Sequence, residues 1–220
     1  MEQRRQTSCG ANKRSAKQRS PKRPWQQADH DHRKALIVDI ALKLLDRHGL
    51  EAVTVRRVAQ KLGVGTMTLY TYFTNQRELK RAIVRRGFEM LNEFCESQGT
   101  LATEQSWRGG SHSYVHFAVA HPNLYRLMFQ SQLAKTDADL FHGGFQLLLN
   151  KVMITMPNDQ LSKDAFRKQA IMAAGRYWIA LHGIATLATT GRLCVLEREL
   201  DEIIDDMIGH IAPEVRISGL

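Results

Sequence analysis

The stretch from Val53 to Leu79, VTVRRVAQKLGVGTMTLYTYFTNQREL, constrains this chain most, because its pattern suits two short helices meeting at a tight corner. Thr54 is a good N-cap, and Val55, Val58, Ala59 and Leu62 follow at i, i+3, i+4 and i+7, which places one apolar stripe on two helical turns. Arg56, Arg57, Gln60 and Lys61 fill the opposite face. Gly63 stands just past the last apolar position, where a left-handed cap lets the chain reverse, and small Ala59 lets a second helix cross the first closely. From Gly65 or Thr66 that second helix runs to about Tyr72, with Leu69 and Phe73 inward and Thr66, Met67, Thr68, Tyr70 and Thr71 outward. A small, hydroxylated and aromatic outer surface of this kind suits a DNA groove.

The charge of the chain agrees with a polyanionic partner, but it is unevenly placed. Of the formal +9, the first thirty residues hold +6: Arg4, Arg5, Lys13, Arg14, Lys17, Arg19, Lys22 and Arg23 face only Glu2 and Asp29. That segment is also poor in apolar residues, so it is expected to be a disordered basic arm. The remaining chain is nearly balanced. Its 220-residue length suits one large or two small domains, and 43% hydrophobic content is ample for a packed core. Cys9, Cys95 and Cys194 are odd in number and widely spaced, which fits neither a disulfide framework nor a Cys-rich zinc site. With no apolar core behind the basic N-terminus and no long apolar run, the expectation is a soluble cytoplasmic protein without a membrane partner.

The expected fold is all-α. Residues 31–77 form a three-helix head whose first helix uses Leu36, Ile37, Ile40, Ala41, Leu44 and Leu45 as its core stripe and stops at Gly49. A longer helix from Gln76, carrying Leu79, Ile83, Val84, Phe88, Leu91 and Phe94, joins head to body and breaks near Gly99. Residues 78–220 form a larger helical body, with segments near 111–120, from Pro122, near 138–155, near 164–190 and near 196–211.

The ordered set of residues in the head resembles the tetracycline-repressor (TetR) family of bacterial transcriptional regulators. The similarity begins with KALIVDIALKLLDRHG (Lys34 to Gly49) and continues through TVRRVAQKLGVG, LYTYF and REL. It implies a helix-turn-helix DNA-binding head. It further implies phosphate contacts from Thr68, Tyr70 and Tyr72, and Thr54 is a candidate for another. Arg56 and Arg57 suit phosphate contact or groove-edge readout, or simply a solvated face. Base reading falls to Thr66, Met67 and Thr71.

Two departures from the family pattern matter. The recognition helix carries no Arg, Lys, Asn or Gln, so the bidentate pairings that identify guanine or adenine are missing from it, and readout should lean on thymine methyls and DNA shape. Gln76 stands where many relatives have a Lys, which removes one charged phosphate contact. Lys22 and Arg23, in the run KRPW, resemble basic arms that track minor grooves, or belong to a solvated tail.

The body resembles the TetR subtype whose C-terminal domain is named for a Trp, His and Gly motif, here Trp178, His182 and Gly183. That resemblance implies an effector-binding and dimerisation domain. Ala174, Leu181, His182 and Ala185 on the long helix, with Leu200, Ile203, Ile204 and Met207 on the last, are the candidates for a homodimer interface; the same stripes also suit intramolecular core. Phe88, Leu91, Tyr114, Phe117 and Tyr125 are candidates for an effector pocket. So are Met128, Phe145, Leu148 and Trp178, although any helical core uses such residues. His112 and His116 lie one turn apart, but no HExxH or paired-carboxylate motif accompanies them, so no metal, cofactor or enzymatic activity is expected. The expected function is a homodimeric repressor that reads a pseudo-palindromic operator in double-stranded DNA and is released by a small hydrophobic or aromatic effector. The second reading is an architectural or protein-partnered DNA-binding regulator without an effector.

Overall fold

The first long helix begins where Asp29 accepts the His32 N–H at 2.9 Å and ends at Gly49, whose φ of 76° is a conformation that side-chain-bearing residues rarely adopt. Between those points Ile37, Ala41, Leu44 and Leu45 recur at helical spacing and are buried. In chain order the helices of the computed structural model are α1 (Pro24–Gln27), α2 (His30–His48), α3 (Val55–Leu62), α4 (Thr66–Tyr70), α5 (Gln76–Glu96) and α6 (Glu104–Ala120). They continue with α7 (Pro122–Gln130), α8 (Ala138–Thr155), α9 (Lys163–Thr189) and α10 (Leu200–Ile211), and short 3-10 turns occupy Leu50–Ala52 and Arg192–Leu196. The structure describes residues 24–97, 104–130, 138–157 and 161–211. Among these there is no strand, and no helix is long and apolar enough to cross a membrane.

Helices α2, α3 and α4 form the head around Val53, Val58, Leu69 and Phe73. In the body α6 is central, packing on α5, α7, α9 and α10, while α8 closes against α5 and α9. Close approach of α7 to α5 depends on Gly87, where a Cβ would come 2.7 Å from Met128 Sδ and 3.0 Å from Leu124 Cδ1.

Besides the earlier start of α6, three boundaries differ from the sequence-based expectation. The head starts earlier than residue 31: Pro24–Gln27 is a helical turn, the Trp25 ring meets Tyr72 edge-on at 5.7 Å, and the Trp25 carbonyl accepts from Arg33 Nε at 3.2 Å. A large indole with an apolar shelf beneath it docks rather than trailing with the basic arm. The recognition helix is shorter, ending at Tyr70, because the Tyr72 and Phe73 N–H groups both turn back to the Leu69 carbonyl at 3.0 Å. The last helix begins at Leu200 rather than 196, since residues 192–196 form the 3-10 turn and Glu197 adopts a left-handed φ of 50°.

Candidate nucleic-acid interface and internal cavity

The corner of the head is built by backbone hydrogen bonds that its glycine makes possible. Thr54 Oγ1 accepts the Arg57 N–H at 3.2 Å and starts α3, a cap that contributes about 1 kcal/mol. Gly63, at φ 71° and ψ 35°, returns its N–H to α3 carbonyls, and the Val64 N–H reaches the Ala59 carbonyl at 3.0 Å. The chain therefore reverses within two residues and launches α4. Leu69 is buried beneath it, while Met67 is 75% and Tyr70 47% exposed on the opposite side. Thr66 and Thr71 are exposed beside them, and Thr68 is half-buried. Thr71 Oγ1 donates to the Thr68 carbonyl at 2.7 Å, so its proton is already engaged. Arg56, Arg57 and Lys61 stand exposed on α3.

Besides Thr54 and Thr71, two more of the DNA candidates have intramolecular work. Gln76 donates its side-chain amide to the Val53 carbonyl at 2.8 Å, which ties the start of α5 to the loop before α3. The Tyr72 ring is half-buried between Trp25 and His30, 4.8 Å from the latter. Lys22 and Arg23 lie outside the described residues.

Deeper in the chain a cavity of about 440 Å³ opens between α5, α6, α8 and α9. Six of the expected residues line it: Phe88, Leu91, Tyr114, Phe145, Leu148 and Trp178. Phe117, Tyr125 and Met128 do not; each is at most 1% exposed and packed into solid core between α6, α7 and their neighbours. Helical periodicity separates inside from outside, but it does not distinguish a residue facing a void from one facing another side chain. Sequence reasoning missed Trp107, Cys95, Lys151 and Tyr177 in the wall. The first lies before the expected start of its helix, and a lysine is ordinarily read as solvated.

The wall is mostly apolar but carries a few polar groups. Lys151 Nζ lies 5.1 Å from the Trp107 ring centroid, and burial pulls its pKa down. Burial also pushes the Cys95 thiol up to about 11, and raises the Tyr114 and Tyr177 phenols, so all three stay protonated. Tyr177 is bonded to Ser111 through their hydroxyls, while the buried Trp107 Nε1 has no hydrogen-bond partner among the described residues.

Within the single chain most of the expected dimer residues face inward. Ala174, Leu181 and Ala185 are buried on the inward face of α9, with Leu181 in the cavity wall. Ile203 and Ile204 are buried against the body, and Leu200 and Met207 pack half-buried beside them. His182 also turns inward, its Nδ1 2.7 Å from the Tyr125 hydroxyl and 3.4 Å from that of Tyr114. On the opposite face of α9, exposed Met172 (61%), Ile179 (67%) and Leu187 (42%) alternate with Gly175 and Gly183. A Cβ added at either glycine would meet nothing within 4 Å. Small residues suggested close packing from the sequence; Ala173, Ala174 and Ala185 are covered inside the chain, while Gly175 and Gly183 lie on the outer face.

Burial lowers the His182 pKa below the usual 6.5, so the neutral ring accepts the Tyr125 proton. As pH falls below 6.5 the unfolded chain protonates this imidazole before the folded one does, and stability is lost until the folded value is passed. The variant His182→Gln lacks that loss. The melting temperature of the wild type minus that of the variant should therefore shrink between about pH 7.5 and pH 5; a constant difference would sink the assignment.

Residues 37–83 match the family described as bacterial regulatory proteins, tetR family, and residues 107–211 match the tetracyclin repressor-like C-terminal domain. An uncharacterized HTH-type transcriptional regulator of Mycobacterium tuberculosis is 27% identical over 180 residues, 80% of this chain and 78% of that protein. A structure of a protein of unknown function from Rhodococcus superposes with a TM-score of 0.68 at 21% identity, covering 86% of this chain and 97% of the other. The regulator BioQ, solved with its double-stranded DNA operator, superposes with a TM-score of 0.55 at 18% identity over 82% of this chain and 98% of its own. The helical corner, the helical body and these similarities agree: the chain belongs to the tetR family of DNA-binding transcriptional regulators.

Proposed function

We propose that this regulator is a cytoplasmic homodimeric repressor of a pseudo-palindromic operator, released by a small, mainly apolar effector that enters the cavity. The observation that carries this reading is that two helices each touch both the head and the cavity. Helix α5 is fixed to the head by the Gln76–Val53 hydrogen bond and by buried Leu79 and Ile83, and twelve residues on, about 18 Å along a helix, Phe88 and Leu91 line the cavity. Helix α7 carries Phe129 into the cavity wall, while at its start Asn123 Nδ2 donates to the Asp46 carbonyl at 3.3 Å and His121 Nδ1 lies 3.3 Å from the Asp46 carboxylate. An effector that wedges α5 from α8 moves the head through both, so effector and operator binding oppose one another.

The second copy seats on the outer face of α9, along Met172, Ile179 and Leu187, and the two recognition helices then enter successive major grooves. Met67, the Thr66 hydroxyl and the Thr71 methyl read thymine-rich positions and groove shape. Tyr70 and Thr68 contact phosphates, with Arg56 and Arg57 at the groove edge.

The wall indicates what kind of effector fits. An apolar cavity bordered by a lysine and by an indole N–H without a partner among the described residues suits an apolar carboxylic acid, whose carboxylate can accept from both. Thermal-shift and operator-release assays with apolar acids and their methyl esters test this. An acid is expected to raise the melting temperature and release DNA, and Lys151→Met to weaken that acid about ten- to hundredfold without weakening its ester. If no apolar compound both stabilises the protein and releases DNA, the architectural reading replaces this one.

A further inference from the structure

Outside the head and the cavity, α6 and α10 run antiparallel and are joined by a ladder of charged side chains. Along α6 stand Arg108, His112 and His116, one turn apart; along α10 stand Asp205 and Asp201. Arg108 Nε donates to Asp205 Oδ1 at 2.6 Å, and a second guanidinium nitrogen pairs with Asp205 Oδ2. His112 Nε2 lies 2.8 Å from Asp205 Oδ1, and its Nδ1 lies 3.2 Å from Asp201 Oδ1. His116 Nε2 reaches the same Asp201 oxygen at 2.7 Å.

His112 thus faces a carboxylate with each ring nitrogen. A neutral imidazole has one N–H, so if Nε2 donates to Asp205, the lone pair of Nδ1 points at the lone pairs of Asp201. Asp205 accepts from Arg108 and faces His112, while one oxygen of Asp201 faces both histidines. Aspartates carry a negative charge near neutral pH, so the arrangement calls for a positive charge between Nδ1 and Asp201. A metal ion supplies it, because it satisfies His112, His116 and Asp201 together.

We propose that His112, His116 and Asp201 form a binding site for a divalent transition-metal ion that clamps α10 to α6. Ligand atoms of the three residues lie within 4.8 Å of one another. Around a tetrahedral ion with bonds of about 2.0–2.1 Å, ligand atoms are about 3.3 Å apart, so side-chain rotations that move these atoms by roughly 1.5 Å or less close the set on an ion. The two rings lie 21° from parallel with centroids 6.1 Å apart, which lets both present a nitrogen to the same side. The Asp205 carboxylate on His112 Nε2, itself gripped by Arg108, is the outer-shell arrangement that fixes a metal-binding imidazole's tautomer and orientation. Two imidazoles and one carboxylate select zinc, cobalt, nickel or copper over magnesium or calcium. Asp201 is 62% exposed, leaving the ion a path in and a fourth position for water.

The sequence alone carried two of the three ligands, the pair of histidines one turn apart on α6. Its third ligand lies 85 residues further along the chain, and only the packing of α10 brings it to the pair. The site does not depend on the effector reading, and its test needs no DNA.

Full-length protein freed of metal with a chelator is titrated with Zn²⁺ by calorimetry, and with Co²⁺ by visible absorption. One equivalent per chain is expected to bind and raise the melting temperature, and the Co²⁺ form should show the intense bands of a four-coordinate site. His116→Gln and Asp201→Asn should each weaken binding at least about tenfold, and Asp205→Asn about 10–100-fold as an outer-shell change. The double variant His30→Gln/His32→Gln, which alters another exposed histidine cluster, should bind as the wild type does. Absence of stoichiometric binding to the wild type overturns the proposal whatever the variants do, as does binding that survives both His116→Gln and Asp201→Asn. The ladder is then a hydrogen-bonded zipper between α6 and α10 only.

Discussion

Replacing Ile179 by glutamate is expected to leave each subunit folded, split the dimer and weaken operator binding by about 10²–10⁴-fold. The side chain is 67% exposed in the single chain, so a carboxylate there costs the isolated fold little. In the proposed dimer it lies between two glycine-lined apolar surfaces, where an unpaired charge is expensive to desolvate. Separated subunits lose the gain of binding a second half-site from the same molecule. Sedimentation and operator-shift titrations read the two effects independently. A variant that still sediments as the wild type does would exclude this face of α9 from the interface, and a wild-type chain that is monomeric at working concentration would remove the dimer altogether.

The second large effect separates two neighbours in the recognition helix. Leu69→Ala should destabilise the head by about 2–5 kcal/mol, since Leu69 is 1% exposed and removing its branched end leaves a hole in the head's core. Operator binding then falls with the folded fraction, equally for every sequence. Met67→Ala, at 75% exposure, should change stability by less than about 0.5 kcal/mol while altering which bases are preferred. Chemical denaturation combined with a binding-site selection distinguishes the pair. If Met67→Ala together with Thr71→Ala leaves the selected operator unchanged, the thymine-methyl and shape reading fails, and specificity must come from Arg56, Arg57 or the basic arm.

The head was legible in the sequence because its determinants are local. A threonine cap, an apolar stripe, a left-handed glycine and a second stripe all act within a few residues of one another, so spacing alone predicts the corner. What escaped there were interactions across the chain: Trp25 folding back on Tyr72, and Gln76 reaching the Val53 carbonyl. The body was legible as a set of helices but not as a set of faces. Ala174 and Ala185 looked like interface residues because they are small, whereas both are covered inside the subunit. Phe117 and Phe145 have the same chemistry and similar spacing; one packs in solid core and the other borders a void.

By itself, then, the sequence determined the helical class, the DNA-reading corner and the neutral character of its outer surface, since capping, periodicity and glycine conformation are properties of neighbouring residues. The tertiary structure decided which face of α9 stays exposed, which aromatic residues border the cavity, that Lys151 lies among them, and that His112 and His116 meet Asp201. Each of those depends on how helices distant in sequence pack. Burial energy rewards any apolar face that is covered and leaves the covering partner to be chosen by shape and charge across the whole chain.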